Sequence, residues 1–134
     1  MAQTYLLDTN MITGILRRDA KVASRLREAL SADARIIMSP VVYYEIRRGL
    51  LRRDAKKQLG FFEQLAETFP WNDLLRPDWE TASEWWVSET SQGRTPQDAD
   101  LLIAAQARRL SAVLVTDNER HFAHFNLTIE NWVA

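Results

Sequence analysis

Short apolar runs alternate along the chain with longer stretches in which apolar positions recur at helical spacing. Tyr5-Leu6-Leu7 is such a run, and it stops at Asp8-Thr9-Asn10, residue types that end strands and cap helices. Met11, Ile12, Ile15 and Leu16 then follow helical spacing, and a second helical pattern carries Val22, Leu26, Ala29 and Leu30. Ile36-Ile37-Met38 is the next strand-like run, closed by Ser39-Pro40, an N-cap residue followed by proline at the first helical position. The helix it opens holds Val41, Val42, Glu45, Ile46 and Leu50, and continues or restarts after Arg53 with Leu59, Phe62 and Leu65. Thr68-Phe69-Pro70-Trp71 reads as a poor strand suited only to an edge, because proline donates no ladder bond.

From Trp79 to about Ser91 the spacing is helical again, and Ser91-Gln92-Gly93-Arg94 is the clearest loop. Thr95-Pro96-Gln97-Asp98 has the order of an N-cap, a first-turn proline and a capping-box acid, so the pattern predicts a helix opening at Pro96, with its body at Leu101 to Leu110. Ala112 to Thr116 is a β-branched run that ends at Asp117-Asn118. Three to four short, fully apolar strands alternating with helices predict an α/β fold with a mostly parallel sheet. One domain spanning residues 1–134 is expected at this length.

Composition narrows the chemistry. The chain has no cysteine, which excludes disulfides, thiolate zinc sites and a thiol nucleophile. No apolar run is long enough for a membrane span and no secretory leader is evident, so a soluble, cytoplasmic protein is expected. The net charge of −1 conceals an asymmetry: residues 1–57 carry 12 Lys/Arg against 6 Asp/Glu, whereas residues 58–134 carry 5 against 12. Polarity of that kind suits a surface that meets phosphates and another that holds cations.

In open parallel sheets, sites form at the carboxyl ends of the strands. Asp8 ends the first strand, Asp117 ends the last, and Asp100 lies near the start of the helix after Pro96. Glu45 lies about one and a half turns into the helix after the second strand. Asp98 and Asp100 are separated by about 200° of helix rotation and cannot share a target. Asp98 is therefore given the capping role, and Asp100, on the face of Ile103, Ala104 and Ala107, needs a partner or a function.

Taken singly, Asp8 reads equally as an N-cap, Glu45 as an ion-pair partner of Arg48 or Arg52, and Asp117 as a turn residue. Together they point further. Two carboxylates about 4 Å apart repel by roughly 1 kcal/mol in water and about 4 kcal/mol at an effective dielectric of 20, so a cluster protonates or binds cations. With only His121 and His124 as nitrogen donors, hard oxygen ligands predominate, which selects Mg²⁺ or Mn²⁺ over zinc. Such an ion beside a basic surface suits phosphodiester hydrolysis.

The motifs resemble those of the PIN-domain ribonucleases, and most closely the VapC-type toxins of bacterial toxin-antitoxin pairs. The matching pieces are Leu6-Leu7-Asp8-Thr9-Asn10, Ser39 to Gly49 around Glu45, Asp100 to Ala107, Val115-Thr116-Asp117-Asn118 and Ile129 to Trp132, in order along almost the whole chain. The resemblance implies a PIN-like three-layer fold with four to five strands, and a catalytic cluster of Asp8, Glu45 and Asp100. Asp8 and Asp100 would ligate Mg²⁺, directly or through water, with Glu45 orienting water. The family's fourth acid commonly stands two residues after the threonine, where this chain has Asn118; Asp117 is one residue after it, so either position is a candidate and a second metal site is in question. Thr9 and Asn10 would orient Asp8 or contact a phosphate, and Thr116 belongs to the same motif. The resemblance further implies an endoribonuclease that arrests translation, a cognate VapB-like antitoxin and a homodimer. A rival reading is a nucleic-acid-binding or regulatory module, which unlike the enzyme would act equally well in EDTA.

Arg47, Arg48, Arg52, Arg53, Lys56 and Lys57 bring six positive charges within eleven residues. Arg47, Arg48 and Arg52 are the candidates for RNA phosphates, because the run begins just after Glu45. Tyr43, Tyr44, Trp79, Trp85 and Trp86 are assigned mainly to packing, with one of the adjacent tryptophans facing outward to a protein partner. His121 and His124 are assigned structural or solvent-facing roles.

Overall fold

A computed structural model describes residues 2–134. The central strand, β1 (Thr4–Leu7), pairs in parallel with β2 (Arg35–Ile37) on one side and with β3 (Val113–Val115) on the other. β4 (Ile129–Glu130) extends the sheet beyond β3, so the order is β2-β1-β3-β4 with every pair parallel. Leu6, Leu7, Ile36, Ile37 and Val113 to Val115 are all buried, as expected for strands covered on both faces. The α/β expectation with four strands holds. β4 was not read as a strand from its pattern, since two residues carry no periodicity. The proline-bearing segment near Trp71 contributes only an isolated parallel bridge between Met38 and Trp71.

The helices are α1 (Thr9–Leu16), α2 (Ala20–Ser31), α3 (Pro40–Arg52), α4 (Lys56–Thr68), α5 (Arg76–Ser91), α6 (Asp98–Arg109) and α7 (Glu119–Phe122). Local chemistry ends and begins them. Asp19 caps α2 by accepting from the Lys21 and Val22 amides, and Gly14 lets α2 approach α1, since a Cβ there would stand 3.2 Å from Val22 Cγ2. Ser39 caps α3 through the Val41 amide. The continuous-or-broken question after Arg53 resolves as a break: Asp54 adopts φ +53°, a left-handed geometry that Asp tolerates, and α4 restarts behind it.

One local expectation fails. α6 opens at Asp98, with Gln97 in the cap position and no side-chain cap, so Thr95 and Pro96 lie outside the helix and Asp98 closes no capping box. Asp98 and Asp100 both fall in the first turn, and the rotation between them still separates their targets. Asp98 borders an outer groove with Trp79 and Trp86 between α5 and α6, while Asp100 turns toward β1 and β3. No helix among the described residues is long and apolar enough to cross a membrane.

Candidate active site

The carboxyl ends of β1 and β3, the first turns of α1 and α6 and the second turn of α3 meet at an open groove of about 560 Å³ whose lining includes Asp8, Asn10, Glu45, Asp100, Asp117 and His121. Its acids come from both halves of the chain: Asp8, Asp19 and Glu45 from the basic half, Asp100 and Asp117 from the acidic half.

Asp8 is the most tightly held. It follows β1 directly and is only 5% exposed. Its Oδ1 accepts from the Thr9 amide at 2.8 Å, so it caps α1. Its Oδ2 accepts from the Thr116 hydroxyl at 2.8 Å and from the Asn10 amide group at 3.2 Å. Helix capping and a place in the groove lining therefore belong to the same side chain. Thr116, fully buried at the end of β3, is a hub: while donating to Asp8, its Oγ1 accepts from the Asn118 amide at 3.0 Å and from Asn10 Nδ2 at 3.3 Å. Asn10 ties the two strand ends together, since its Oδ1 also accepts from the Asp117 amide.

Glu45 is fixed from α1 rather than from its own helix. The Thr9 hydroxyl donates to Glu45 Oε1 at 2.7 Å, whereas Arg48 Nη2 stands 3.8 Å from Oε2, a loose contact. Asp100 has one partner, His121, whose Nδ1 lies 3.3 Å from Oδ2. The same nitrogen is 2.9 Å from Asn118 Nδ2. A hydrogen on Nδ1 can be shared between Asp100 and Asn118 once the Asn118 amide is turned to present its oxygen. His121 is thus part of the site and not a bystander, a correction to its expected role. No helical or strand period marks it, because α7 is a single short turn; its one sequence signal is its place three residues after Asn118.

Burial raises the pKa of Asp8 above the usual carboxylate range, against the hydrogen bonds from Thr116 and Thr9, with the charges of Asp100 and Glu45 adding to the rise. Burial also raises Asp100, against the hydrogen bond and charge of His121 and with Glu45 adding to the rise. A divalent cation would relieve this crowding of negative charge, and an all-oxygen donor set suits Mg²⁺ or Mn²⁺. Among the described residues no three acid or histidine side chains stand together as a ready-made cage. Mg²⁺ is ordinarily held through one or two carboxylates and keeps several waters, so the pair Asp8 and Asp100 is a chemically fitting donor set.

Asp117 and Asn118 both border the groove. The Asp117 carboxylate is exposed and forms no ion pair among the described residues, while the Asn118 side chain is engaged with His121.

Arg47, Arg48 and Arg52 do not border the groove. Arg47 Nε is drawn 3.1 Å from Glu63 on α4, Arg48 lies over the Tyr44 ring, and Arg52 is exposed elsewhere. The reason is helix rotation: the stripe of α3 facing α1 is Glu45, Ile46, Gly49, Leu50 and Arg53. Of the aromatics, Tyr43 packs on Phe62 and Trp71, and Trp85 stacks on Phe125 at 4.5 Å. Tyr44, Trp79 and Trp86 are exposed, so the assignment of these five mainly to packing fails for three of them, while one outward-facing member of the Trp85-Trp86 pair is as expected.

Comparison with known proteins agrees with this geometry. The PIN domain family model matches residues 5–126. Ribonuclease VapC1 of Haemophilus influenzae (strain R2866) is 28% identical over 133 residues, covering 96% of this chain and 97% of the relative. Ribonuclease VapC19 of Mycobacterium tuberculosis (strain ATCC 25618 / H37Rv) is 30% identical over 120 residues, covering 90% and 93%. Among solved structures, VapBC-1 from nontypeable Haemophilus influenzae superposes with a TM-score of 0.84 at 27% identity over 98% of this chain and all of that one. VapBC2 from Rickettsia felis, bound to a DNA fragment from its promoter, shares the fold with a TM-score of 0.86 at 23% identity, over 97% of this chain and 99% of that one. The acids gathered at the strand ends, the threonine that holds Asp8 and a family match over nearly the full length have one reading: this chain belongs to the PIN domain family, among its VapC-type ribonucleases.

Proposed function

We propose that the protein is a metal-dependent endoribonuclease that hydrolyses RNA phosphodiester bonds, with Mg²⁺ or Mn²⁺ held by Asp8 and Asp100. The carrying observation is that Asp8, Glu45 and Asp100, distant along the chain, border one groove, where burial and neighbouring carboxylate charge raise the proton affinity of Asp8 and Asp100. When bound, such an ion supplies an acidified water and a counter-charge for the phosphoryl oxygens. The chain's own residues do the positioning. Thr116 and Thr9 hold Asp8 by one hydrogen bond to each carboxylate oxygen, and Thr9 also holds Glu45 at the groove, where its carboxylate can orient water and accept a proton. His121 fixes the Asp100 carboxylate from the opposite wall.

The same reading extends to biology: a toxin of a VapBC-type pair that stops translation, acting as a homodimer and silenced by a cognate VapB-like antitoxin. It is supported by the VapBC complexes among the structural neighbours. The exposed Trp79, Trp86 and Val87 beside a groove of about 570 Å³ offer a protein partner an apolar surface.

The test is cleavage of RNA by the purified chain with Mg²⁺, with Mn²⁺ and in EDTA, alongside Asp8→Asn and Asp100→Asn. Cleavage that needs a divalent ion and both aspartates supports the assignment. Folded variants that cut as fast as the parent, or full activity in EDTA, would overturn it.

A further inference from the structure

The acid groove does not end at the acids. On one side it runs into a smaller cleft between α1 and α3, sharing Thr9, Thr13, Arg17 and Glu45 with it and adding Arg53 and Gln58. On the other it runs into a pocket of about 360 Å³, sharing Gln97, Asp100 and His121. The two extensions differ in chemistry. The first is marked by Arg17 and Arg53, both exposed, at the C-terminal ends of α1 and α3. The second has an apolar floor of Pro96, Leu101 and Phe125 and a polar rim of Arg120, His121 and His124. Arg17, Arg53 and Arg120 form no ion pairs among the described residues, in contrast to Arg47, Arg94 and Arg109.

The geometry points to a continuous track for an unpaired RNA strand, in which Arg17 and Arg53 take backbone phosphates on one side of the acids and the Pro96-Leu101-Phe125 pocket takes a nucleobase on the other. This rests on the ribonuclease reading and adds which side chains hold the strand on either side of the acids. Free guanidiniums without internal partners suit phosphates. An apolar floor with donors and acceptors at its rim suits a base that has left its stack, which a duplex cannot offer. The track also names a specificity element: the base seated beside His121 and His124 is the one the pocket can discriminate.

Binding of a fluorescein-labelled mixed-sequence oligoribonucleotide, measured by anisotropy in EDTA, separates this proposal from catalysis. The unpaired strand is expected to bind more tightly than the same strand annealed to its complement. Arg17→Gln with Arg53→Gln weakens it roughly tenfold and makes the dependence of log affinity on log salt shallower by about 1.4, two phosphates at about 0.7 each. Arg35→Gln with Arg76→Gln removes the same charge away from the track and leaves affinity within about twofold. Thr95→Trp, exposed at the base pocket, weakens binding and, in the active enzyme, changes the base preferred next to the cut. Equal losses from the two arginine pairs, no loss from Arg17 and Arg53, or duplex bound as tightly as single strand would each overturn the track, whether or not the chain cleaves. Failure of the parent to cleave any RNA with Mg²⁺ or Mn²⁺, with the binding pattern intact, overturns the ribonuclease reading and leaves the track standing.

Discussion

The two aspartates assigned to the metal sit in unlike surroundings. Asp8 is buried, its oxygens accept from three donors, and it closes the network that joins β1 to β3. Asp100 is half-buried on the first turn of α6, with the exposed side chain of His121 as its hydrogen-bond partner. One wall of the groove is therefore set by the sheet, and the other by a helix start, a short helix and their side chains. The sheet wall defines where charge sits; the α6–α7 wall is where the site can adapt to ion and substrate. Loss of a donor on the first wall should disturb everything, whereas losses on the second should be graded.

The largest effect expected is on turnover. Asp8→Asn should lower RNA cleavage by on the order of 10²-fold or more, the scale seen when one charge-stabilising group is removed. It should also abolish any rise in Tm that Mg²⁺ confers on the parent, which thermal melting reads without reference to activity. A variant that still gains Tm with Mg²⁺ would place the ion elsewhere. Next comes Thr116→Val, of similar shape but unable to donate: it should cost roughly 10- to 100-fold in activity or metal affinity. It should also cost about 1–3 kcal/mol of stability, because Asp8 and the Asn118 amide each lose a buried partner. If chemical denaturation finds no loss of stability, the hub role assigned to Thr116 is wrong.

On the second wall, His121→Ala should reduce activity less than Thr116→Val does, because water can replace an exposed partner. Asn118→Asp places a carboxylate where the family usually has its fourth acid, and should tighten Mn²⁺ binding in calorimetry. Unchanged affinity would mean that position 118 does not face the ion.

The smallest effect is on stability as a function of pH. Burial makes Asp100 hold its proton to higher pH in the fold than in the unfolded chain, whose carboxylate titrates near 3.8. Below that value the group contributes nothing; as pH rises through the folded value the native state must carry a crowded charge, so stability falls. Asp100→Asn should then be more stable than the parent at neutral pH, with the gain disappearing toward pH 4. Asp8→Asn should show no such gain, because both Asp8 oxygens accept hydrogen bonds and an amide would turn a donor toward one of those donors. Equal gains in the two variants would erase the distinction between the walls.

Much of this was legible in the sequence. Short apolar runs ending in Asp8 and Asp117, and the Ser39-Pro40 start ahead of Glu45, mark strand ends and helix starts, because burial and capping act on residues adjacent in the chain. Asp100 was legible because a carboxylate on an inward helix face calls for a partner. The partner itself was not, since His121 belongs to a one-turn helix with no period. Nor was the bond from Thr116 to Asp8, which joins residues 108 positions apart. The start of α6 differs from its local signal for a related reason: Thr95-Pro96 has a helix-opening order, yet Gln97 is extended and α6 begins only at Asp98.

The basic residues mark the boundary most clearly. Charge density singles out the run from Arg47 to Lys57, but density is a property of the chain, whereas access to the groove depends on how α3 is turned against α1. That rotation brings Arg53 beside Arg17 and sends Arg47 to Glu63. The alternation of strands with helices and the placing of Asp8, Glu45, Asp100 and Asp117 near strand ends and helix starts follow from local preference and burial pattern, so the chain by itself determined them. Which side chains face one another across the groove follows from packing between elements remote in sequence, and only the assembled fold decided it.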